Sequence, residues 1–216
     1  MDQLIKKCNS VAKKKLGIKP NLKMLVHSIA SFQESTDLIT KHRIAHGPVA
    51  FACKKGCAYC CSLRVEVLPP EVFYIANHIK SLPEQQQKIH INNLEAHEAY
   101  AKNRPFVDFN RTCPFLTAQS TCGIYSVRPH KCRSNLSTRV ESCISTRDPV
   151  EDSLLKKAHS QLVWDTVNLY KNKNCVMHPT ELGQGVLAAL KDETLEIRWA
   201  KGEQVFELLP EKIRLD

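Results

Sequence analysis

Between Cys53 and Cys61 the chain reads Cys-Lys-Lys-Gly-Cys-Ala-Tyr-Cys-Cys, four thiols in nine residues with a glycine between the first two. Thiols crowded this closely make a strained set of disulfides, because a disulfide tolerates only a narrow range of Cα separations, but they are good soft donors for a thiophilic metal. The loop therefore reads as half of a metal site. A second group lies downstream in Cys113-Pro114-Phe115-Leu116, Cys122-Gly123-Ile124-Tyr125, Arg128-Pro129 and Cys132-Arg133, with Cys143 trailing it. Neighbouring lysines and backbone amides favour the thiolate, which is the binding form, and Gly56 lets the backbone turn tightly toward an ion. Cys60 and Cys61 are adjacent and cannot both aim easily at one small ion from an extended segment. One of them is expected to bridge or to serve a second site.

A chain of 216 residues is long enough to bury a full hydrophobic core, and one domain is expected. Its apolar content of 43% and charged content of 25% are those of a folded globular protein, so disorder is not indicated. With only 7 glycines it lacks the means for Gly-rich phosphate loops or many tight βα turns. The formal net charge of +9 comes largely from lysines spread over the termini and helix faces. Without aromatic-basic interleaving or a nucleic-acid motif, this reads as a solvated basic surface in preference to one for nucleic acid or another anionic partner, and a protein partner of unknown identity stays open. Part of the charge also suits the site: four thiolates around a divalent metal or a cubane cluster form a dianion that Arg64, Arg111, Arg128, Lys131 and Arg133 could offset.

Residues 1–20 are lysine-rich and lack an apolar h-region, and no later apolar run approaches the roughly 20 residues that span a bilayer. A cytoplasmic chain without a membrane span is expected. In that compartment clustered cysteines are more often ligands or redox groups than structural disulfides, and 10 cysteines occur here.

The periodicity divides the chain into a basic N-terminal segment and helix (1–49), a cysteine-cluster region (50–145) and a C-terminal helical region packing on the same core (146–216). Residues 1–20 read as a basic lead-in closed by Gly17 and Pro20, followed by one long amphipathic helix from Asn21, a candidate N-cap, to about His42. Ser62 to Leu68 alternates and reads as a short strand. Pro70 suits the first turn of a helix to about Ser81, and another helix is predicted over Pro83 to Lys102 with Ile89, Leu94, Ala96 and Tyr100 as its apolar face. Asn103 to Pro149 shows no long period, and a loop of that length needs something besides packing to order it. Helices are predicted again over Glu151 to Tyr170 and Thr180 to Leu190. A short alternating run over Thr194 to Trp199 and a helical turn over Glu203 to Leu209 end the chain.

Taken in order, the Cys53–Cys61 loop, the Val-rich stretch with Pro-Glu, then Cys-Pro-Phe-Leu, Cys-Gly-Ile-Tyr, Arg-Pro and Cys-Arg resemble the YkgJ-type cysteine-cluster family. That family is described as zinc- or iron-chelating and carries about eight cysteines. The likeness covers roughly residues 50–145. It implies Cys53, Cys57, Cys60, Cys61, Cys113, Cys122, Cys132 and Cys143 as metal ligands. This chain has Cys-x3-Cys where many relatives have Cys-x2-Cys. Some members resemble the flagellin lysine-N-methylase, whose cysteine motif is associated with an iron–sulfur cluster. The Cys53-x3-Cys57-Ala-Tyr59-Cys60 spacing also matches the radical SAM loop, but the strand-helix units and Gly-rich SAM contacts of that architecture are missing.

The sequence thus predicts a mainly α, single-domain protein with little β structure and a long, cysteine-rich, loop-built metal site. Its cofactor is an iron–sulfur cluster or zinc. The leading reading is a metal-binding protein acting in redox, metal handling or support of a partner enzyme. A cluster-dependent modifying enzyme and a structural-zinc interaction module are the alternatives. His46 and His130 lie near the cysteine groups in sequence and are candidates to complete a coordination shell, although loop histidines are more often simply hydrogen-bonded. Cys8 and Cys175 read as plain thiols.

Overall fold

In a computed structural model, which describes residues 1–102, 104 and 109–208, the chain is a mainly α-helical single domain. In order it forms α1 (Asp2–Leu16), α2 (Leu22–His27), α3 (Ile29–His46), β1 (Glu66–Val67), α4 (Pro69–Lys80), α5 (Glu84–Ala101), α6 (His130–Ser134), α7 (Val140–Ser145), α8 (Ser153–Lys171), β2 (Thr180–Glu181), α9 (Leu182–Lys191) and α10 (Thr194–Ala200). The core is built around α4, which buries Val72, Phe73, Ile75, Ala76 and Ile79, with α2, α5 and α9 against it. α1, α3 and α8 pack on one another, and Arg43 of α3 grips Asp152, the residue before α8, with two 2.9 Å hydrogen bonds. No helix among the described residues is long and apolar enough to cross a membrane.

Several predicted elements change on folding. The basic lead-in is a helix: Ile5, Cys8 and Leu16 of α1 are buried, and the lysines between them cover its outer face. Asn21 does cap the next helix, accepting the Met24 N–H at 2.9 Å, but the long helix is interrupted at Ser28. There Tyr170 Oη, which bridges to Ser28 Oγ at 3.0 Å, donates to the Leu25 carbonyl at 2.9 Å and so takes the acceptor that the Ile29 N–H would use. The predicted strand shrinks to two residues, paired antiparallel with β2 as Glu66↔Glu181 and Val67↔Thr180, and Glu181 at the end of β2 caps α9 by accepting the Gln184 N–H. α5 turns Leu94, His97 and Ala101 inward while Ile89 is exposed. The run Thr194 to Trp199 lies in α10, where Trp199 is fully buried and donates to the Val176 carbonyl at 2.8 Å. Residues 203–208 are not helical, and Leu209 lies outside the described residues.

Candidate metal centre

The first loop is a chain of tight turns. The Cys57 N–H donates to the Lys54 carbonyl at 3.0 Å with Gly56 at φ 85°, the positive φ a glycine supplies freely in the third position of such a turn. This turn accommodates the three-residue gap after Cys53. Cys60 and Cys61 then lie in a 3-10 turn, Tyr59–Ser62, and their side chains hydrogen-bond to each other. The second segment docks directly on the first, since the Cys113 N–H donates to the Cys61 carbonyl at 2.7 Å. A small hairpin follows, with a bridge between Leu116 and Cys122 and the Gly123 N–H on the Phe115 carbonyl at 2.7 Å; Cys113 stands in the turn that leads into it, its carbonyl accepting the Leu116 N–H at 3.0 Å.

Cys132 arrives on α6. Its placement depends on Glu71 at the start of α4, a buried carboxylate that accepts the His130 N–H at 2.6 Å, the Leu68 N–H at 3.2 Å and Gln33 Nε2 at 3.4 Å. One side chain therefore ties α3, α4 and α6 together. Burial raises the pKa of Glu71, while the hydrogen bonds from His130, Leu68 and Gln33 oppose the rise. Arg133 reinforces the join by donating to the Arg128 and Ser126 carbonyls at 2.7 and 2.8 Å and to Asp37 of α3 at 2.6 Å. Sequence reasoning did not single out Glu71; the signal was Pro69-Pro70-Glu71, an acidic residue in the first helical turn that can reach back to the helix start. Further on, Ser137 returns to the first loop: its carbonyl accepts the Ala52 N–H at 2.8 Å and its N–H donates to Cys53 Sγ at 3.4 Å. Cys143 follows on α7, which packs against the Tyr59–Ser62 turn.

The eight predicted thiols fall into two overlapping neighbourhoods. A thiolate at Cys132 would feel charge at Cys113, Cys122 and Cys60, and one at Cys61 would feel Cys60, Cys113 and Cys132. Cys53 is within electrostatic reach of Cys57, Cys60 and Cys143, so Cys60 belongs to both groups. Cys8 in α1 and Cys175 after α8 are buried elsewhere. Among the described residues, no three His, Cys, Asp or Glu side chains already form a closed coordination shell. The fold assembles the donors without aiming them at a single point.

Burial dominates the electrostatics of these thiols. Burial pushes Cys113 up to about 12 and raises Cys53, Cys122 and Cys132, with neighbouring sulfurs adding to the rise for Cys53, Cys113 and Cys132. Within the adjacent pair, Cys60 is lowered by the Cys61 hydrogen bond and Cys61 is raised by the same contact. Against this, Cys53, Cys113 and Cys122 each accept a backbone N–H, from Ser137, Phe115 and Ile124, and Asn135 donates to Cys60. Arg128 lies over the Tyr125 ring at 4.3 Å, and its charge helps to lower Cys60 and opposes the rise at Cys122 and Cys132. Four buried polar side-chain atoms lack a partner among the described residues: Arg64 Nε, Arg128 Nε, His90 Nδ1 and His97 Nδ1. Arg64 donates Nη1 to the Arg104 carbonyl at 3.0 Å, and among the described residues no ion pair joins Arg64 or Arg128 to a carboxylate. A soft-donor set with backbone amide donors and the Arg128 charge beside it fits an anionic metal–thiolate centre.

The two histidines near the cysteine groups are otherwise employed. His46 Nδ1 binds the His42 carbonyl at 2.9 Å at the exposed end of α3. His130 is stacked on Phe32 with Nδ1 2.7 Å from Thr36 Oγ1, and burial pushes its pKa down to about 3. Arg111 stands over the Tyr100 ring at 5.3 Å.

Residues 52–150 match the model of a family described as CxxCxxCC, a "putative zinc- or iron-chelating domain". No curated protein and no solved structure matches the chain significantly.

Proposed function

We propose, from the premise that residues 52–150 are a CxxCxxCC domain, that the chain holds an iron–sulfur cluster on cysteine thiolates and serves electron transfer or the support of a partner enzyme in a reducing, cytoplasmic setting. The carrying observation is Arg128, whose buried Nε has no hydrogen-bond partner among the described residues and whose charge acts on Cys60, Cys122 and Cys132. Such a cation is costly beside neutral thiols and favourable beside a dianionic centre. Cys60, Cys61, Cys113, Cys122 and Cys132 supply the inner donors; Cys53, Cys57 and Cys143 supply the outer ones. When bound, the cluster would contribute one-electron chemistry. The chain would contribute the rest: Phe115, Ile124 and Val127 keep water from one side, and the N–H···S bonds favour the thiolate form.

One observation favours an enzymatic second reading. A cavity of about 300 Å³ opens beside α6, lined by Phe32, Glu71, His130, Lys131, Leu136 and His159, and it is large enough for a small substrate. A modifying enzyme that uses the centre would place its substrate there.

Anaerobic purification followed by metal analysis and visible spectroscopy tests both readings. Iron with acid-labile sulfide and a brown colour is the expected result. Colourless protein with stoichiometric zinc would replace the redox reading with a structural one, and protein folded and stable without either metal would end both. Cys57→Ser and Cys122→Ser should lower the metal content; Cys8→Ser and Cys175→Ser should leave it unchanged.

A further inference from the structure

His97 lies on α5, 4% exposed, with Nε2 3.0 Å from Glu181 Oε1. Glu181, 2% exposed, is itself fixed because its second oxygen accepts the Gln184 N–H at 2.8 Å at the start of α9. A carboxylate accepts only, so Nε2 carries the hydrogen, and Nδ1 is left buried with no hydrogen-bond partner among the described residues. A bridge between α5 and α9 accounts for Nε2 and for Glu181. It leaves Nδ1 unexplained, and a buried polar atom without a partner costs about 1–3 kcal/mol.

The chain also keeps space for this ring. A Cβ at Gly183, the second residue of α9, would stand 2.3 Å from His97 Cδ2 and 2.8 Å from Nε2, so any side chain there would displace the imidazole. The pair borders the second cysteine segment. Asn93, one turn before His97 on α5, donates to the Pro114 carbonyl at 3.4 Å; His90 packs against Phe115 with ring centroids 5.8 Å apart; and the Glu181 charge reaches Cys113.

We infer that His97 supplies a nitrogen donor, through Nδ1, to the thiolate centre on its Cys113 side, with Glu181 holding the ring in the tautomer that leaves this nitrogen bare. A carboxylate on the far nitrogen is the usual support of a metal-bound histidine. The inference rests on the metal-centre reading above and changes its donor set from sulfur alone to sulfur and nitrogen. On iron, imidazole ligation raises the reduction potential relative to thiolate alone.

X-ray absorption at the metal edge of the full chain, purified anaerobically with its own metal or reconstituted with Zn(II), tests this. The wild type should show sulfur neighbours together with one imidazole nitrogen, at about 2.3 and 2.0 Å for zinc. His97→Ala should lose the imidazole signal, whereas Glu181→Gln should keep it and weaken metal binding roughly 10- to 100-fold in a chelator competition. Should His97→Ala fail to fold, His97→Asn, closer in shape and still polar, is read in its place and should likewise lose the imidazole signal; a signal retained in either His97 variant overturns the assignment. Metal bound by sulfur alone in the wild type overturns the role of His97 and leaves the thiolate centre intact. A wild type that binds no metal overturns both.

Discussion

Cys113 and Cys132 illustrate how burial sets the chemistry of a single side chain. Each is held as a neutral thiol because a charge there would be poorly solvated and would face other sulfurs. The consequence for stability has a definite sign. A thiol whose pKa rises on folding stabilises the folded state fully below its unfolded pKa, and that contribution is lost as pH climbs toward the folded value. For Cys113 the window runs from about 9 to about 12. Metal-free protein should therefore become steadily easier to unfold with urea above pH 9. Metal-bound protein should not, since its thiols are already deprotonated as ligands. Equal alkaline sensitivity in the two forms would contradict this account.

At the scale of elements, short polar contacts decide where helices stop and how the site segments join. The break at Ser28 comes from Tyr170 on α8, whose hydroxyl captures the Leu25 carbonyl in a buried setting. Tyr170→Phe should lower unfolding stability by about 1–3 kcal/mol, because the Leu25 carbonyl and Ser28 hydroxyl would lose a buried partner. Chemical denaturation measures this directly, and a change under a few tenths would mean that the helix closes over the gap. The two-residue ladder of β1 and β2 does comparable work. With the Leu182 N–H on the Val65 carbonyl at 2.9 Å, it brings Glu181 beside the segment that follows Cys61.

At the scale of the whole molecule, a helical frame with its own core carries a site assembled from turns, short helices and a hairpin. The frame buries continuous apolar faces on α4 and α9, while residues 52–62 and 135–148 include no fully buried large side chain and are held mainly by polar contacts within and between the two segments. These loops should therefore open at lower free energy than the frame. Removing metal with a chelator should raise amide exchange first in residues 52–62 and 135–148, with α4 and α9 still protected. Simultaneous loss of protection in loops and frame would show that the metal holds the entire domain.

The mainly α class, the helices α4, α5 and α8 and the two cysteine groups were legible in the sequence, because helical periodicity and thiol spacing are local signals. The helix over residues 2–16 was obscured by its lysines, although Ile5, Cys8 and Leu16 marked its buried side. The run from Thr194 alternates like a strand, but burial of Trp199 against Phe73 and Tyr170 makes it a helix. No local pattern could reveal that Glu71 would join α3 to α6, that Cys60 would stand between two thiol groups, or that His97 would face Glu181 across the core. The chain's own order established what chemistry its cysteines could perform. Which groups surround them depended on contacts between residues far apart in the chain, where burial and the pairing of polar atoms outweigh local preference.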